Sequence, residues 1–125
     1  MHLLLTDRLT CPRCGPSFGL ILLADRMVDR RVHQGILGCP NCRDSFEVRA
    51  GFADLRAPPR GPLPPGRAGS EPPGADAEEE AQRVTALLGI HRGPGTVALS
   101  GRAARFARGV AAAVEDLQTV AVDAD

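Results

Sequence analysis

The cysteines of this 125-residue chain all fall in two short loops, Cys11-Pro12-Arg13-Cys14 and Cys39-Pro40-Asn41-Cys42. A Cys-x-x-Cys turn folds both sulfurs to one side while its backbone N–H groups point at them, so it presents two thiolates along one edge of a metal ion. Two such turns complete a tetrahedron. Zinc suits that donor set: Zn2+ takes four soft sulfurs at about 2.3 Å and has no redox chemistry of its own. Four thiolates leave no coordination position for water. One structural zinc is therefore expected, held by Cys11, Cys14, Cys39 and Cys42, and no catalytic metal. Arg13 and Arg43 stand where they can offset the negative charge of a four-thiolate site, although two solvated arginines are the plainer reading. His33 lies in mid-strand, away from both loops, and is not expected to be a ligand.

Two other cysteine chemistries fit less well. Disulfides belong to secreted chains, and the stretch from Met1 to Thr10 offers only Leu3-Leu4-Leu5 as an apolar run before charges begin, so no secretory leader is expected. A redox Cys-x-x-Cys normally occurs once, at a helix start after a strand, whereas here the motif is doubled.

The elements around the loops are short. Leu3 to Leu9 reads as a turn or brief helix whose leucines pack beneath the first cysteine loop. Gly19 to Ala24 is continuously aliphatic and reads as a buried strand. Charges from Asp25 to Arg30 interrupt it, and Arg31 to Gly38 resumes as a strand running into the second loop, which makes a hairpin. Ser45-Phe46-Glu47-Val48-Arg49 alternates as a half-buried strand should. Loop, hairpin, loop, strand is the layout of a zinc ribbon, expected over residues 1–56. A domain of about 55 residues sits near the lower limit for an unaided apolar core. Structural zinc, worth on the order of 10 kcal/mol in small fingers, is expected to make up the difference.

Composition narrows the remainder. With four Phe and no Trp or Tyr, a large aromatic core is excluded. Fifteen basic side chains balance fifteen acidic ones, so no global field steers the chain toward nucleic acid or acidic lipid. The basic set is all arginine, read as genomic bias rather than a binding surface. No apolar run approaches bilayer-spanning length, and a soluble, cytoplasmic protein is expected.

The stretch Leu3 to Leu55 resembles the Trm112 family of small zinc-ribbon proteins. The resemblance rests on the leucine-rich start, the loops Cys11-Pro12-Arg13-Cys14 and Cys39-Pro40-Asn41-Cys42, and the ending Phe46-Glu47-Val48-Arg49-Ala50-Gly51-Phe52-Ala53-Asp54-Leu55. It covers less than half the chain, and the spacing between the loops is longer than in compact bacterial members. It implies a non-enzymatic partner that binds and activates an S-adenosylmethionine-dependent methyltransferase. The same ending also resembles the ribbon at the amino end of certain rRNA guanine methyltransferases, which keeps open the amino-terminal part of a fused enzyme.

Residues 57–75 are dominated by Pro and Gly and read as a linker, since proline lacks the ladder donor and glycine loses most entropy on ordering. Its Pro-x-x-Pro spacings, Pro59 to Pro62 and Pro62 to Pro65, are a weak ligand signal. Residues 76–125 then read as a helix from Asp76 to Gly89, with Asp76 or a neighbour as N-cap, acids in the first turn and glycine as the stop. A βαβ unit follows: strand Gly95 to Gly101, helix Arg102 to Glu115 and strand Leu117 to Val122. The fold class is thus α+β. The last unit resembles the start of a Rossmann-like methyltransferase domain, which would put Gly101 in the cofactor turn and Asp123 at the ribose position. Arg102-Ala103-Ala104 stands where further glycines are needed for backbone approach to a ligand, and no cofactor-binding or catalytic residue is assigned.

A ribbon that works by docking needs an uncovered apolar patch, and Leu3 to Leu5 with Phe52 to Leu55 are the expected side-by-side candidates; sealing of the ribbon's own core is the competing reading. A nucleic-acid contact through Arg26, Arg30 and Arg31 at the hairpin tip is a third class. Interleaved Asp25 and Asp29 and the lack of a stacking aromatic count against it.

Overall fold

A computed structural model describes residues 1–62 and 75–122 and divides the chain into two units, Met1–Ala68 and Gly69–Asp125. The protein is α+β, with small sheets and few helices.

In the first unit a 3-10 turn over Leu3–Arg8 is capped by His2, whose Nδ1 accepts the Leu4 N–H at 3.2 Å. There follow β1 (Thr10–Cys11), β2 (Gly15–Gly19), β3 (Ile21–Val28), β4 (Arg31–Gly38), β5 (Ser45–Arg49) and β6 (Phe52–Ala53). β1 and β2 form an antiparallel pair, and β3-β4-β5-β6 form an antiparallel sheet in that order. Each cysteine loop closes a hairpin. Cys11 pairs with Gly15 around the first loop, and Gly38 pairs with Ser45 around the second.

Strand alternation sets the core. Phe46 and Val48 of β5 point inward and meet Val32 and Leu37 of β4, together with Leu20, Cys11 and Cys39. The ladder between β3 and β4 shifts near Arg26, where Arg26 faces Gln34 and Met27 faces Val32. Gly35 lies beside this irregularity, and a Cβ there would stand 2.5 Å from the Leu23 carbonyl oxygen, so glycine is required for the strands to approach.

Several expectations change here. The aliphatic run from Gly19 to Ala24 is not one buried strand: β2 ends at Gly19, Leu20 is buried between strands, and β3 runs on through Asp25 to Val28. Ile21 and Leu23 are 56% and 65% exposed because they share the face of β3 opposite Leu22, which packs on the core; Ile36, paired with Leu23, is 40% exposed as well. β3 is also the sheet's edge. An edge strand carries Asp25 and Arg26 at little cost and is protected by them. The chain reverses only at Asp29 and Arg30, whose φ values of 47° and 59° give the turn twist that two-residue hairpins favour.

Of the leucine-rich start, Leu9 packs on the core that holds the cysteines, whereas Leu3 to Leu5 do not join it. No residue of the 3-10 turn is buried. The Leu3 N–H donates to the Arg30 carbonyl at 2.8 Å and His2 bridges to Arg31, which seats the turn at the β3–β4 tip. Leu20 joins Leu9 in the cysteine-containing core.

The start of the expected linker also folds back. Arg60 lies 3.1 Å from the Asp44 carboxylate and 4.5 Å above the Phe46 ring centroid, while Arg56 grips Asp54 and the Gly61 carbonyl. Arginine side chains make these ties, which is why proline content did not prevent them. Linker residues 63–74, including Pro65, lie outside the described residues.

In the second unit α1 spans Ala75–Leu88 and ends at Gly89, whose φ is 64°. Asp76 falls within its first turn, and the neighbour preceding the helix, at position 74, lies outside the described residues. β7 (Gly95–Ser100) and β8 (Leu117–Val122) are parallel, in register from Gly95↔Leu117 to Ser100↔Val122. The connecting helix expected over 102–115 is a 3-10 turn, Gly101–Phe106, followed by α2, Ala107–Ala113. Gly101, at φ 56°, swings the chain out of β7. The tighter three-residue winding then puts Ala103 and Phe106 on one side, where both pack on a core of Ala81, Leu99, Ala107 and Val110. Val114 is extended and closes α2. Asp123 lies outside the described residues. Among the described residues no helix is long and apolar enough to cross a membrane.

Phe46 is fully buried at the centre of the first unit. Phe46→Ala is expected to destabilise that unit by about 3–5 kcal/mol, measured by urea unfolding of the chain with hydrogen-exchange readout at β4 and β5.

Candidate metal centre

The two hairpin turns bring Cys11, Cys14, Cys39 and Cys42 together, with all four sulfurs within 4.8 Å of one another. Cys11 and Cys42 are 3.7 Å apart, Cys14 and Cys39 3.8 Å. A tetrahedron with metal–sulfur bonds of about 2.3 Å has edges of about 3.8 Å, so these spacings match a shared metal. The four thiols are free. This donor set fits a metal ion, and the four cysteines would hold it.

The two pairs are seated differently. Cys11 and Cys39 are buried in the first core, while Cys14 and Cys42 are half-buried on the outer side. The second loop is fixed by local bonds: the Cys39 N–H donates to the Asp44 carbonyl at 2.9 Å, and the Arg43 N–H returns to the Cys39 carbonyl at 3.0 Å. Arg43 adopts φ 60° to close this turn. The Asp44 carboxylate accepts the Ser45 N–H at 2.9 Å and pairs with Arg60, anchoring the loop to the sheet.

Backbone donors and crowding split the thiol acidities. The Cys42 N–H pulls the Cys39 thiol down to about 7, helped by the Asn41 N–H and by hydrogen bonds from Cys11 and Cys42, against burial. The Asp44 N–H pulls Cys42 down as well, but burial and the neighbouring sulfurs of Cys14, Cys39 and Cys11 outweigh it and push that thiol up to about 12. The two thiols of the second loop are thus pushed in opposite directions, Cys39 toward the thiolate and Cys42 away from it.

His33 is half-buried in β4 and is not a member of the sulfur cluster. Arg13 and Arg43 are exposed, in keeping with solvated side chains. Arg26, Arg30 and Arg31 are exposed at the hairpin tip, beside exposed Asp25 and Asp29. The expected apolar patch is divided: Ala53 and Leu55 pack on the core, whereas Leu4 is 50% and Phe52 37% exposed. The amino end reaches the turn between β5 and β6, where the Met1 nitrogen donates to the Gly51 carbonyl at 2.7 Å. Asn41 is the residue that sequence reasoning passed over. Its Nδ2 donates to the Cys14 sulfur at 3.4 Å, and its place inside the second Cys-x-x-Cys is the signal that could have marked it.

No protein-family model matches the sequence, and no curated protein is similar enough to count as a relative.

Metal must displace protons from these thiols, so affinity falls as pH falls. Adding zinc to metal-free chain at pH 7 in weak buffer is expected to release protons, read with an indicator dye. Cys39→Ser is expected to abolish tight metal binding and to unfold residues 1–56, read by metal analysis and loss of amide protection.

Proposed function

We propose that residues 1–56 are a zinc ribbon with one structural Zn2+ on Cys11, Cys14, Cys39 and Cys42, and that the chain is a non-enzymatic binding module. The observation that carries this reading is the closed set of four sulfurs, which leaves a metal no site for substrate or water. The sequence resemblance of Leu3 to Leu55 to the Trm112 family supplies the partner class: the ribbon docks on an S-adenosylmethionine-dependent methyltransferase and activates it. The exposed side chains of Leu4 and Phe52 support a docking role, since neither is consumed by the core. Contact with nucleic acid comes only indirectly, through the enzyme, in the cytoplasm.

The parallel β7–β8 pair favours a second reading, in which the chain is the amino-terminal part of a ribbon-fused methyltransferase. The two readings part at the cofactor. The turn Ser100-Gly101-Arg102-Ala103 has a single glycine where close approach to a ligand asks for several, which favours the binding module.

Affinity capture of the chain from native lysate, read by mass spectrometry, is expected to yield a methyltransferase. Leu4→Asp or Phe52→Asp is expected to abolish that capture with zinc content and melting temperature near those of the parent. Loss of zinc or collapse of the transition would assign both side chains to the core. Isothermal titration with S-adenosylmethionine is expected to show no binding by the chain alone; micromolar binding would favour the enzyme reading.

A further inference from the structure

The four sulfurs do not draw their hydrogen-bond donors from equivalent places. In the second loop the donors are local: Cys39 receives the backbone N–H groups of Cys42 and Asn41, and Cys42 receives that of Asp44. Cys14 instead receives a side-chain donor from the opposite loop, the Asn41 amide at 3.4 Å. Only the amide nitrogen can face a thiolate, because the amide oxygen would be repelled, so the orientation is fixed by chemistry. Asn41 therefore bridges the two hairpins through a side chain, independently of any metal–sulfur bond.

Position makes this bond consequential. Cys11 and Cys39 are sealed in the apolar core, so a competing ligand, a proton or an electrophile must begin at the outer pair, Cys14 and Cys42. A donor to a metal-bound thiolate withdraws charge from the sulfur and lowers its reactivity, and outer partners of metal ligands typically govern affinity by about 10–100-fold. Asn41 is itself exposed, so its side chain can be replaced without opening the core.

We propose that Asn41 is a positioning residue for the metal centre: its amide latches Cys14 of the opposite hairpin and sets how fast the metal is lost and how readily Cys14 is attacked. The inference rests on the zinc reading given under Proposed function.

The test uses the full chain loaded with zinc, and the variants Asn41→Ala and Asn41→Asp. The second is nearly isosteric, removes the donor and places a carboxylate beside the thiolate, so it separates the hydrogen bond from the space the side chain fills. Zinc transfer to a chromogenic chelator in excess is expected to be about 10-fold faster in Asn41→Ala than in the parent, and faster again in Asn41→Asp. Limited alkylation with iodoacetamide, mapped by mass spectrometry, is expected to move Cys14 to the front of the order of modification in both variants. In the cobalt-substituted proteins the thiolate-to-metal absorption band is expected to shift to lower energy as the donor is lost, a change that general loosening does not produce. If the parent carries zinc and the variants match it in release rate and alkylation order, the latch is wrong while the ribbon stands. If the parent holds no zinc, the ribbon reading itself fails.

Discussion

Two hairpin turns that must meet at one point are the constraint on which the first unit depends. Four sulfurs converge there, and two of them, Cys11 and Cys39, are also members of a small apolar core. The sulfur cluster and the core are therefore one object. Burial of Leu20, Val32, Leu37, Phe46 and Val48 fixes the sheet, and the sheet fixes where the second loop ends. Sulfur spacing near the tetrahedral edge then ties the β1–β2 pair, which shares no ladder with the main sheet, to the end of β4. A unit of this size has little else to hold such a pair in place.

Charge is managed in layers around that point. Backbone N–H groups of the second loop face its own thiols, Asn41 faces Cys14, and Asp44 links the loop to Arg60, which in turn covers Phe46. Arg60 lies 22% exposed in its side chain and Asp44 14%, so this pair is better shielded than an exposed surface bridge and resists screening accordingly. The same contact explains why the start of the proline-rich stretch stays on the sheet. Asp54 is held below the usual carboxylate range by its hydrogen bond to Arg56, against burial. Its contribution to stability is thus present above the ordinary aspartate pKa and is lost as pH falls through the lowered value.

The cysteine cluster was legible in the sequence because its signal is chemical: residue type and loop spacing leave few alternatives. Strand β5 was legible because its alternation of apolar and polar residues matches its burial, and β4 and β8 run over the expected residues. β3 was not read correctly, since an aliphatic run looks the same whether both of its faces are covered or, as here, only the face that carries Leu22. The 3-10 start before α2 was hidden for a related reason. Ala103 and Phe106 are three apart, a spacing that α and 3-10 windings both place near one face, and Gly101 decides between them through a backbone angle. Asn41 escaped because a side-chain donor to sulfur leaves no periodic trace. Arg60 escaped because its partners, Asp44 and Phe46, are remote in sequence.

If zinc and core are one object, the coordination shell should be uniform and made of protein sulfur alone. X-ray absorption at the zinc edge of chain purified without chelator measures this directly. The account predicts four sulfur neighbours at about 2.3 Å and no nitrogen or oxygen in the first shell. A mixed shell containing nitrogen or oxygen, or protein that retains its fold with no metal bound, would contradict it.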